Sequence, residues 1–195
     1  MSSADPLLSM VLGISVTAAL CAVLVISLFT VRRPATAPMV VSTVIVAAAL
    51  VVVIAAPPVA LSPAIGVPLT AVGIAAATIG GNPFTRRALD IATGNRVRET
   101  PDGGILIIAA QESDPENTRT LMRGGTVIGY LERVAAVIAI TVGFPEAVAA
   151  VIAVKGVGRF PELAESEARE RFIVGTVASL LWAGVIGAIV RLNLG

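Results

Sequence analysis

Polar and apolar positions are sorted along this chain into long blocks. Residues 6–31 carry no charge, and neither do residues 34–85, a run of 52, nor residues 172–190. A bilayer core about 30 Å thick takes about 20 apolar residues per helix, so the blocks predict several membrane-crossing helices. The first covers 7–31 and stops at Arg32-Arg33-Pro34. The second covers 38–56 and stops at Pro57-Pro58. The third covers 63–79, with Pro68 one turn inside and Gly80-Gly81-Asn82-Pro83 as its stop.

Residues 82–123 form the polar segment. Within it, 86–92 reads as a short interfacial helix, with Phe84, Leu89 and Ile91 touching lipid. A β-hairpin is expected with arms 96–99 and 105–109 about Pro101-Asp102-Gly103-Gly104. Some 40 residues bury too little for an independent core. The organisation expected is a three-helix membrane region (1–81), a polar loop (82–123) and a C-terminal membrane region (124–195).

Residues 134–154 admit two readings: one span with Glu146 at mid-membrane, or a helical hairpin turning at Gly143-Phe144-Pro145. Gly just past one helix, Pro at the first position of the next and an acid in its first turn are the usual stop and start signals. Basic residues should gather on the cytoplasmic side. The single span leaves ten of the 14 Lys and Arg inside and four outside, whereas the hairpin leaves thirteen inside and only Arg191 outside. The hairpin is favoured, with arms of roughly 16 residues or about 25 Å. The fold class is therefore an all-α polytopic bundle of five or six helices, with the N-terminus outside.

Composition sharpens this picture. Hydrophobic residues make up 56% and charged residues 14%, and the mean hydropathy is +0.92; soluble domains carry about 25% charge. The net charge of +1 gives no reason to expect a nucleic-acid partner. The lone Cys21 cannot form an intrachain disulfide, and with no histidine the commonest general base and metal ligand is missing. No phosphate-binding loop, cofactor motif or metal-ligand spacing stands out, so neither cofactor, metal nor catalytic residue is expected. Arg32 and Arg33 separate the first apolar block from Ala35-Thr36-Ala37, so that block reads as a retained helix and not a cleaved leader.

The candidate functional residues are the charges inside the C-terminal region. A hairpin about Gly143-Phe144 pairs positions whose numbers sum to about 287. Glu132 and Lys155 meet that condition, which predicts an ion pair between the arms. Arg133, Arg159 and Arg171 form a candidate polar cluster. The plain alternative is that these arginines and Arg169 flank helices and reach to head groups. Glu146 is either a helix-start residue near the outer interface or a protonatable group in a transport path. Gly175, Ser179, Ala183 and Gly187 make a small-residue stripe suited to close helix packing. Trp182, in mid-helix, reads as packing bulk.

Gly124-Gly125-Thr126-Val127-Ile128-Gly129-Tyr130-Leu131-Glu132-Arg133, Lys155 with Arg159-Phe160 and Glu162-Leu163, and Glu170 to Thr176 resemble the C-terminal signature of uncharacterised bacterial multi-pass membrane proteins, of actinobacterial type. Gly80 to Thr85 is similar to that subgroup as well. The resemblance implies no activity. The expectation is a structural or interaction protein of the bacterial cytoplasmic membrane, in contact with lipid and with a second copy or another membrane protein. The alternative is a small transporter or channel with an intramembrane carboxylate in its path.

Overall fold

A computed structural model describes residues 6–32, 36–57, 61–93, 98–99, 105–106, 125–158 and 166–195. The described residues form six helices: α1 (Pro6–Arg32), α2 (Thr36–Ala55), α3 (Pro63–Thr93), α4 (Gly125–Thr141), α5 (Ala147–Gly158) and α6 (Ser166–Leu194). Four of them, α1, α2, α3 and α6, are long and apolar enough to cross a membrane, and the chain is a multi-pass membrane protein. Their outward faces agree with this. Phe29, Val51, Ile54, Val67 and Val177 all stand exposed, which makes a lipid-facing surface where water would penalise it. Several hydroxyls inside the helices bond back to their own backbone, which spares them a cost in lipid: Ser27 donates to the Val23 carbonyl, Thr30 to Ile26 and Thr78 to Ile74.

α3 and α6 share the most extensive contact and form the centre of the bundle. They run antiparallel, with a glycine every seventh residue of α3 at the seam. A Cβ on Gly66 would meet Leu194, one on Gly73 would meet Val190 and one on Gly80 would meet Trp182. Absent side chains let the two backbones approach, the usual device where lipid competes for apolar surface. α1 lies along α3 in the same direction, Gly13 against Ile65 and Ser27 against Gly80. α2 returns against α1 and α6. The core follows this seam: Leu20, Leu69, Ala76, Ala77, Trp182, Ile186 and Val190 are buried in one cluster.

Two expectations fail at the end of α3. Gly80-Gly81-Asn82-Pro83 is no stop, and 86–92 is no separate helix: α3 runs on to Thr93 with Pro68 and Pro83 inside it. Pro83 lacks the N–H that would bond the Ile79 carbonyl, yet this turn is gripped on three sides. Gly80 abuts Trp182, Gly81 abuts Arg133, and the Asn82 side chain is held by two partners. Phe84 turns inward and stacks on Trp182 at 5.1 Å, and Leu89 lies against Gly175. Only Ile91 is left outside, 70% exposed.

The only strand pairing among the described residues is a two-residue antiparallel contact, Arg98–Glu99 with Ile105–Leu106. The longer hairpin expected in the polar segment is not supported. Most of residues 94–124 lies outside the described chain.

α4 and α5 are separate helices joined by a tight turn, so residues 134–154 do not form one span. Gly143 adopts φ +82°. Its N–H donates to the Ile140 carbonyl and that of Phe144 donates to Ala139, the paired bonds of a glycine-terminated helix. α4 runs parallel to α6: Arg133 faces Ser179, Ile140 faces Gly187, and Gly143 faces Arg191. The turn therefore sits at the depth of the far end of α6. α5, with 12 residues, is shorter than expected, about 18 Å.

Candidate functional site

The polar groups of the C-terminal half converge where α3, α4 and α6 meet. Arg133 is 2% exposed. Its Nε donates to the Thr78 carbonyl at 3.0 Å, its Nη1 to Ser179 Oγ at 2.8 Å and its Nη2 to Asn82 Oδ1. The guanidinium carbon lies 5.4 Å from the centroid of the Tyr130 ring, and the Tyr130 hydroxyl accepts from Asn82 Nδ2 at 3.0 Å. One cation thus ties α4 to both central helices through neutral acceptors. The planar fork of arginine suits this, because each nitrogen points in a fixed, different direction. Gly81 makes room for it, since a Cβ there would fall on the Arg133 side chain.

Glu132 turns the other way. Lys155 Nζ lies 2.6 Å from Glu132 Oε2, which links α5 to α4. Nζ also lies 5.7 Å from the Phe172 ring centroid on α6. The second carboxylate oxygen, Oε1, is buried and has no hydrogen-bond partner among the described residues.

The depth of these groups follows from the seams. α1 ends at Arg32, five residues past Ser27, and Ser27 is level with Gly80. At 1.5 Å per residue, Arg133, beside Gly81, lies roughly 6 Å short of the level at which α1 ends. The cluster therefore lies toward the basic end of the helices. Arg86, Arg87 and Arg169 belong to that same end, and Arg87 lies 4.0 Å from Asp90.

The remaining candidates disperse. Arg171 is buried on α6, a turn below Gly175, and Arg169 is exposed. Arg159 falls outside the described residues. Glu146 is exposed in the turn between α4 and α5, where its carbonyl accepts from Ala149. The small-residue stripe of α6 faces inward. Gly175 meets Thr85 and Leu89 of α3, Ser179 receives Arg133, Ala183 is fully buried, and Gly187 meets Ile140 of α4.

Three members of the site escape a reading by sequence. Asn82 sits inside an apparent helix stop, and Tyr130 and Thr78 have no charge to single them out. The available signal is Gly81: a glycine inside a helix often marks a close approach. Among the described residues, no group of three or more His, Cys, Asp or Glu is placed to hold a metal ion. In comparisons with known proteins, no family model, no curated protein and no solved structure matches this chain.

Proposed function

We propose that this chain is a structural or interaction component of a bacterial cytoplasmic membrane, of the actinobacterial-type multi-pass kind its C-terminal motifs resemble, with its basic end in the cytoplasm. The observation that supports this is Arg133. Each of its nitrogens is engaged by a different neutral acceptor on α3 or α6. A group that relays ions must exchange partners during turnover, whereas this one is closed around fixed ones and holds α4 in place. The partner is a second copy or another membrane protein, met through lipid-facing sides such as those of α1, α2 and α5.

The second reading is a small transporter or channel. It is favoured by Glu132 Oε1, a buried carboxylate oxygen without a hydrogen-bond partner among the described residues; Glu146, exposed in its turn, gives it nothing. Proteoliposomes carrying the purified protein separate the two. The structural reading expects no proton or cation flux above that of protein-free vesicles under a pH gradient, and a protein partner recovered in stoichiometric amount from native membranes. Gradient-driven flux abolished by Glu132→Gln overturns it.

Orientation is tested independently in a Cys21→Ser background. A membrane-impermeant thiol reagent applied to intact cells should label Phe144→Cys, at the hairpin turn, and spare Ser166→Cys, at the start of α6. The reverse pattern inverts the bundle.

A further inference from the structure

α5 differs from the other described helices in how it is held. Each of its residues is half-buried or exposed; Val154 is 74% and Val157 77% exposed. It touches the rest of the chain chiefly through α4. At its near end Val148 packs against the core cluster. At its far end apolar contact thins out: among the described residues a Cβ added at Gly156 or Gly158 would meet nothing within 4 Å. Among the described residues, what fixes the far end is Lys155, through Glu132 Oε2 at 2.6 Å and the Phe172 ring. The connection to α4 is a short turn on Gly143 in the left-handed region, which glycine adopts and leaves without steric cost.

From this we infer that α5 is a hinged arm, closed on the bundle by the Glu132–Lys155 clasp and free to swing about Gly143 when the clasp is broken. The asymmetry of anchoring carries the inference. A helix buried along one face comes away only with the fold, but one whose far end is held by one side-chain clasp and by the seven-residue connection to α6 has a local open state within the reach of that connection. Such local openings occupy the low end of a protein's stability range. The two ends of the clasp are also unequal in what they lose. Lys155 is near the basic end and has a long stem that reaches toward head groups. Glu132 is more than nine-tenths buried, and among the described residues Lys155 is the only donor to its carboxylate. Opening the arm therefore uncovers an acid that the closed state hides. The inference is independent of whether the chain is structural or transports an ion.

Spin-label distance measurements in lipid nanodiscs test it, again with Cys21→Ser. Labels at Val157→Cys on α5 and Val177→Cys on α6 report the arm. A pair at Val52→Cys on α2 and Val177→Cys reports the bundle. The closed arm gives one dominant 157–177 distance, with an open minor state on the order of 1% for a gap of a few kcal/mol. Lys155→Met, which keeps the stem and removes the charge, should raise a longer-distance population at least about tenfold while the 52–177 distance stays fixed. Glu132→Leu, which removes the buried acid itself, should do the same. An unchanged 157–177 distribution in both variants overturns the arm, because packing alone then holds α5. Broadening of both pairs together also overturns it, because the ion pair is then part of the global fold.

Discussion

Arg133→Ala should unfold under markedly milder denaturant than the parent, with a loss of about 3 kcal/mol expected from the cavity and the stranded polar groups together. Trp182 is the only tryptophan and stacks beside the site on Phe84, so its fluorescence reports the transition. Opposing effects have to be weighed here. A charge within a bilayer costs roughly 2.5–3.5 kcal/mol on insertion scales, so its removal brings a gain. Against that stand the three hydrogen bonds and the volume of the side chain. Arg133→Met separates these effects. It keeps the stem, removes the charge and leaves Asn82 its contact with Tyr130, while Ser179 can turn to a carbonyl of its own helix as Ser27 does. The methionine variant should therefore fall within about 1 kcal/mol of the parent, between the charge gain and the hydrogen-bond loss. Arg133→Lys should be worse than methionine despite retaining the charge, because one ammonium cannot reach acceptors that diverge in three directions. Arg133→Ala indistinguishable from the parent, or lysine better than methionine, would show that this residue is not what joins α4 to the centre.

The structure divides what sequence reasoning reaches from what it does not by the range of the interaction. The four long helices are legible because charge-free runs reflect a local rule: each residue meets lipid or core according to its own polarity. The α4–α5 turn is legible for the same reason, since Gly143 and Pro145 terminate and start helices by backbone chemistry alone. Equal depth of Glu132 and Lys155 follows from arithmetic once that turn is granted, and the two side chains do meet. The error at Gly80-Gly81-Asn82-Pro83 has the opposite cause. Every residue there is a local breaker, and what carries α3 through is Trp182 and Arg133, about 100 and 50 positions away in the chain. Arg133 itself reads equally well as a helix-flanking arginine, because its acceptors include a backbone carbonyl and an asparagine within an apparent turn. The α6 stripe shows another limit. Small residues mark where backbones approach, but not whether the partner is another chain or, as here, α3 and α4 of the same one. That placement turns the search for an intermolecular surface away from α6 and toward the exposed sides of α1, α2 and α5.

The glycine seam between α3 and α6 gives the second large effect. A Cβ on Gly73 would stand 2.6 Å from Val190 Cγ2, with Leu20 and Ile186 also close. Gly73→Ala gains about 1 kcal/mol in helix propensity, but overpacking of a filled core costs about 1–3 kcal/mol. The clash should win, because Val190 is fully buried and a β-branched side chain in a helix has essentially one rotamer. It cannot turn aside, so the helices must separate. Gly73→Leu should then abolish the folded bundle, seen as loss of a monodisperse species in detergent. Gly66→Leu serves as the comparison. Among the described residues its Cβ would meet only the terminal Cδ2 of Leu194, the far end of a half-buried, flexible side chain, so that side chain can turn aside and folded protein should survive. The decisive measurement is the cycle of Gly73→Ala with Val190→Ala. The second substitution removes the methyl that the first one strikes, so the double variant should be more stable than the two losses summed, by about 1–2 kcal/mol. Strict additivity would mean that α3 and α6 tolerate a wider spacing, and that the heptad glycines of α3 do not set the distance on which the Arg133 contacts depend.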